Sequence, residues 1–124
     1  MTTDEIMLFD KWPNVLPLYA ALREKLLSAY PEMTVKAAKT QISFRNRHVF
    51  AMASPPWRRL RGAPEEYLLV SFGLSHQSDS PRVWQSVEAY PGRWTHHAVV
   101  ANAAELDGEL LALIDEAYHF AMVK

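Results

Sequence analysis

The apolar residues of this chain change their period twice, and that change limits what it can fold into. Leu18, Leu22 and Leu26 recur at helical spacing. Leu68, Val70, Phe72 and Leu74 then alternate with Tyr67, Leu69, Ser71 and Gly73. Leu106, Leu110, Leu113 and Ala117 return to helical spacing at the end. A period of about 3.6 marks the buried face of a helix, and a period of two marks a half-buried strand. Helices, then strands, then a helix describe an α+β domain. The expected form is an antiparallel or mixed sheet of roughly four to six strands, with the N-terminal helices and the C-terminal helix packed on one face. The other face of such a sheet is left partly open to solvent.

Local signals divide the chain further. A short helix is expected over 3–12, where Thr3 caps, Asp4 and Glu5 complement the positive N-terminus and Pro13 ends the run. A second is expected over 15–30, capped by Asn14, with Pro17 in its first turn and Pro31 stopping it. The sheet takes up about 33–100. Thr40, Ile42 and Phe44 alternate with Lys39, Gln41 and Ser43, Arg45-Asn46-Arg47 reads as a tight turn, and 48–52 returns to complete a hairpin. Strands over 67–74, 82–90 and 94–100 follow, the last two joined at Pro91-Gly92. Asn102 and Glu105 have capping-box spacing for a final helix over 103–122. The stretch 53–66, rich in proline and arginine, is a long loop for a small domain and is either mobile or used for something.

Composition removes several function classes. The 124 residues fit a single domain, and 49% hydrophobic against 22% charged residues is a folded rather than a disordered balance. A net charge of −1 offers no general attraction to nucleic acid or to an anionic membrane. The absence of cysteine excludes disulfides, thiolate metal sites and cysteine nucleophiles, and fits a reducing compartment. The opening Met1-Thr2-Thr3-Asp4-Glu5 is acidic, unlike a secretory leader, and no apolar run approaches a membrane span. A cytoplasmic location is expected.

Chemistry-bearing residues converge on the non-core face of the sheet. Lys39, Gln41 and Ser43 project together from one strand, and Tyr67 and Ser71 from another. His96 and His97 are adjacent on a strand and so point to opposite faces; one of them joins the set, together with Arg82. The set holds cations and hydrogen-bond donors with few carboxylates, which suits a small anion or polar ligand as well as an ordinary solvated sheet face. No metal-ligand spacing accompanies the histidines, no glycine-rich phosphate cradle is present, and Ser43, Ser71 and Ser75 lack a nucleophile-elbow context. No metal and no cofactor is therefore expected. Trp57 among Arg58, Arg59 and Arg61 matches a stacking element for single strands, but Glu65 and Glu66 offset its charge, and nucleic acid is not the expected partner.

The segments Ser80-Pro81-Arg82, Tyr90-Pro91-Gly92-Arg93-Trp94-Thr95-His96-His97 and Asp115-Glu116-Ala117-Tyr118, with Lys39-Thr40-Gln41-Ile42-Ser43-Phe44 upstream, resemble an uncharacterised bacterial family, the domain of unknown function numbered 5655. The resemblance covers nearly the whole chain and implies no activity. It directs interest to Lys39, Arg82, Trp94, His96 and His97, and it sets the arginine loop apart as an insertion. More distantly, the order of elements is similar to YdhG-like, frataxin-like small α+β domains. Iron binding of that kind relies on an acidic first helix, whereas 15–30 holds only Glu24 as an acidic residue. The leading expectation is a non-enzymatic binding or accessory domain. It takes a small anionic or polar ligand, or a protein partner, around Lys39, Gln41, Ser43, Arg82, Trp94 and His96 or His97. A hydrolase- or transferase-like enzyme with a histidine base, and a frataxin-like metal carrier, are the alternatives.

Overall fold

Tyr19, Leu22 and Leu26 form one stripe of a helix, and all three are buried in one core with the sheet residues Ile42 and Phe44, the Tyr19 ring stacking on Phe44. The computed structural model describes residues 1–124. Its elements are helices α1 (Thr3–Leu8) and α2 (Leu16–Ala29), strands β1 (Thr34–Ala37), β2 (Ile42–Arg45), β3 (Val49–Ser54), β4 (Leu68–Leu74), β5 (Gln85–Tyr90) and β6 (Arg93–Val100), a 3-10 turn at Ala103–Glu105, and helix α3 (Gly108–Met122). The six strands form one sheet in the order β1-β2-β3-β4-β6-β5, and every neighbouring pair is antiparallel. Hence the α+β class and the six-stranded antiparallel sheet agree with the expectation from periodicity. No helix is long and apolar enough to cross a membrane.

Cross-strand register sorts the side chains into two layers. Ile42, Ala53, Val70 and Ala98 are register neighbours, as are Phe44, Ala51, Phe72 and His96, and all of them are buried on the helix side. Small alanines on β3 and β6 let the helices settle close over the larger residues of β2 and β4. A register shift between Phe44 and Arg45 leaves Phe50 as an extra residue on β3, and Phe50 and Ala51 are both buried. Phe50 meets the Tyr30 and Tyr118 rings edge to face, and those two rings stack at 4.0 Å. This cluster joins the end of α2 to the end of α3.

The element ends differ from the expectation where a nearer polar group takes the cap. Thr2, not Thr3, caps α1: its hydroxyl accepts from the Glu5 N–H, and the Glu5 carboxylate accepts from the Thr2 N–H at 2.7 Å. Helix α1 stops at Leu8, well short of Trp12. No side chain caps α2, because Asn14 donates to Glu66 instead. Asp107 caps α3 by accepting from the Leu110 N–H at 2.9 Å, while Glu105, confined to the 3-10 turn, accepts from the Ala101 N–H. Lys39 and Thr40 lie in the bend between β1 and β2 rather than in a strand. Arg82, three residues before β5, lies in a turn after Pro81.

Candidate functional site: a polar trough on the open sheet face

Opposite the helices, Ser43, Met52, Ser71, His97 and Gln85 are register neighbours and form one row across five strands. At the centre of this row the Ser71 hydroxyl and His97 Nδ1 lie 2.7 Å apart. Strand alternation fixes the pair: Leu68, Val70 and Phe72 face the core, so Ser71 faces away, and antiparallel pairing sets His97 beside it. Ser71 is only 6% exposed and His97 is half-buried, so the bond forms largely away from water. Burial, then the Arg58 guanidinium, then His96 hold the His97 imidazole below its ordinary pKa, and it is neutral near pH 7. Its Nε2 makes no hydrogen bond within the protein and is not sealed from solvent.

The arginine-rich segment encloses one end of this row. Tyr67, Leu69 and Val99 form a small second core with Leu60 and Ala63 packed on it, so the loop folds over the sheet face rather than away from it. The Tyr67 hydroxyl donates to the Arg58 carbonyl at 2.6 Å and accepts from the Leu60 N–H at 3.1 Å. Arg59 closes the loop on itself by donating to the carbonyls of Glu65 and Pro64 and lies over the Tyr67 ring. Trp57 rests edge to face on Trp12. Arg58 is left exposed at the lip.

The result is a trough in two parts. One cavity of about 190 Å³ lies between the loop and the sheet, with Trp57 and Arg58 at its wall and Leu69, Ser71 and His97 along its floor. A second, of about 360 Å³, continues along the sheet past Ser43 and Thr95 to Lys124. Gln41, Met52 and Ser71 line both.

The residues singled out from the sequence divide between the two sides of the sheet. Gln41, Ser43 and His97 come together along the trough. His96 lies on the helix side, fully buried and stacked on Phe72, with Nε2 accepting from the Ser78 N–H at 2.9 Å and Nδ1 without a partner. Burial lowers its pKa despite the opposing backbone carbonyls of Trp94 and Phe72. Trp94, paired with Leu74, shares that side by alternation. Arg82 also leaves the set: it donates to the Glu105 carbonyl at 2.7 Å and pairs with Asp107, tying the β4–β5 connection to the start of α3. Lys39 stands beside Asp4 and Met7 of α1, at a separate cavity of about 390 Å³.

The sequence reading missed Arg58 and Lys124 as bordering residues. The one available signal was Tyr67, an aromatic on the open-face side of β4 that requires cover. No group of three or more histidine, aspartate or glutamate side chains is arranged to hold a metal ion. Polar pairs elsewhere, His76 with Glu116 at 2.5 Å and His119 with Asp115 at 3.4 Å, are exposed along α3.

One protein-family model, described as a domain of unknown function (DUF5655), matches residues 7–121. No curated protein and no solved structure matches the chain.

Proposed function

The chain belongs to the DUF5655 family, whose description names no activity, and from its own geometry we propose a non-enzymatic binding module that holds a small organic anion in the open-face trough. One observation supports this reading above the others. Acidic residues outnumber lysine and arginine 14 to 13 in the sequence, yet no aspartate or glutamate lines either part of the trough, whose charged side chains are Arg58 and Lys124. A guanidinium offers paired N–H donors to a carboxylate or phosphate. In the tautomer in which the Ser71 hydroxyl donates to His97 Nδ1, the imidazole carries its proton on Nε2 and can donate to the same anion. Met52 and Leu69 supply apolar floor for the rest of the ligand, and Gln41 adds an amide.

A second reading, an enzyme in which His97 serves as base toward Ser71, is favoured by their 2.7 Å contact. The binding module is preferred because Ser71 is almost covered and no carboxylate hydrogen-bonds to the His97 ring.

A thermal-shift screen against organic acids, phosphates, nucleotides, iron and zinc tests the proposal. An anion at about a hundredfold excess over its dissociation constant should stabilise the fold by about 2.7 kcal/mol, and Arg58→Gln should remove that shift. A shift given only by iron or zinc, or an anion shift unchanged in R58Q, would count against it. Turnover of an ester or amide that stops in S71A and H97N would favour the enzyme.

A further inference from the structure

Resting on the anion-binding reading above, we propose that the ligand is an elongated organic dianion whose second acid group is held by Arg93 and Lys124 at the far end of the trough. The observation behind this is a second gathering of cations. The Arg93 guanidinium carbon lies 5.4 Å from the Phe120 ring centroid, and Lys124 Nζ lies 5.3 Å from the same centroid. A single aromatic ring therefore collects two positive charges. Neither is in an ion pair with a carboxylate; the ion pairs of the molecule are Arg23–Glu5, His76–Glu116, Arg82–Asp107 and His119–Asp115. Glu88, on the neighbouring strand, instead accepts from the Gly92 N–H at 3.3 Å. Two like charges drawn to one ring repel, and an anion bound between them relieves that repulsion.

The position of the pair makes it part of the trough. A cavity of about 180 Å³ lined by Arg93, Phe120 and Lys124 also includes Gly73 and Thr95, and Gly73, Thr95 and Lys124 line the wider part of the trough as well. Gly73 contributes by having no side chain: its position on β4 faces the same way as Leu69 and Ser71, so the floor stays low where the two cavities meet. Leu69 lies at the Arg58 end and Gly73 at the Lys124 end. Their separation along a strand is about 13 Å at roughly 3.3 Å per residue, too far for one carboxylate or phosphate to meet both sets of cations. A molecule with an acid group at each end and a linker over Met52 and Ser71 meets both. The apolar and hydroxyl-bearing floor between the ends suits a linker that carries no charge of its own.

The test is titration calorimetry of the full chain with homologous α,ω-dicarboxylates and α,ω-bisphosphonates, each against the monoacid of equal length. The expected result is a length optimum at which the diacid binds about tenfold or more tightly than its monoacid, as joining two sites through one molecule provides. In the double variant R93Q/K124Q the length optimum and the advantage of the diacid over the monoacid of equal length should both disappear. In R58Q both acids should bind more weakly. Diacids that bind no better than monoacids at any length would overturn the inference and leave the anion-binding reading standing. Failure of every acid to bind would overturn both.

Discussion

The hydroxyl of Tyr67, at the foot of β4, is bonded to the backbone of Arg58 and Leu60 at 2.6 and 3.1 Å, and these two bonds make a loop into the wall of a trough. Tyr67 is fully buried although it lies on the solvent-facing side of the sheet. Its ring provides apolar cover for Leu60 and Ala63, and its oxygen satisfies one carbonyl and one N–H that the loop would otherwise turn into an apolar contact. Arg58 is therefore positioned by its own main chain, and its side chain stays free.

Tyr67→Phe tests this directly. It keeps the ring and removes the oxygen, leaving two backbone groups without partners, which should cost about 1–3 kcal/mol. The loss should concentrate in the loop. Limited proteolysis within 55–66 should accelerate and organic-anion affinity should fall, while far-ultraviolet circular dichroism stays unchanged. Equal protease resistance in both proteins would mean that the loop is held by other contacts.

How far this arrangement was legible in the sequence depends on the range of the contacts involved. The alternation of Leu68, Val70, Phe72 and Leu74 was sufficient to find β4 and its buried face, because a strand's period is local. Adjacency of His96 and His97 showed that they face opposite ways, but which one faces the helices depends on pairing with Phe72 and Ser71. The trough wall depends on Leu60 and Ala63 reaching Tyr67, Leu69 and Val99, and no period encodes such a contact. Arg82 illustrates the reverse case. Val83 and Val87 read as strand, but the turn after Pro81 turns the guanidinium to the Glu105 carbonyl, a partner supplied by the far end of the chain.

Glu5 should govern the acid limb of stability. It is 2% exposed and accepts from the Thr2 N–H, the Tyr19 hydroxyl and Arg23 Nε. Burial alone would raise its carboxyl, but those three donors outweigh burial and lower it to about 2 from 4.5. A depressed carboxyl contributes stability above its unfolded pKa and loses it as pH falls through the folded value. The window is therefore from about 4.5 down to about 2. Glu5→Gln should destabilise the protein by about 3 kcal/mol at pH 7 and flatten that limb, as read by urea midpoints across the range. Parallel curves for the two proteins would show that other carboxylates dominate.

His96 should act in the next pH range. Its imidazole is buried neutral against Phe72, with His76 opposing its protonation and Glu116 weakly favouring it. Its pKa is lowered, so the stabilisation is complete above the unfolded value of 6.5 and declines as pH falls below it. The raised pKa of His76, caused first by its hydrogen bond to Glu116, acts in the opposite sense: that contribution is present below 6.5 and is lost as pH rises. His76 is exposed, so its contribution is small and the His96 trend should prevail. His96→Phe should keep the stack and reduce the decline below about pH 6.5, although the Ser78 N–H loses its acceptor, and the remaining part is carried by His97, whose pKa burial also lowers. A decline of unchanged size in H96F would assign it elsewhere.

His97 is the group through which pH should reach the ligand. Burial, Arg58 and His96 all hold it below 6.5, and a bound anion reverses the balance by favouring the imidazolium. Affinity for an organic anion should therefore rise as pH falls from 7.5 toward 6, with proton uptake on binding, detectable as a dependence of calorimetric heat on buffer ionisation. The sign follows from linkage: a ligand that raises a group's pKa binds the protonated form more tightly. In His97→Asn the amide can still meet Ser71, the proton uptake should vanish and the pH dependence should flatten. Arg58→Gln should weaken binding at every pH and, by removing a charge that holds His97 down, move the pH-dependent range upward. Binding that tightens equally with falling pH in H97N would move the titrating group off the trough floor, and the assignment of His97 to the ligand would fail.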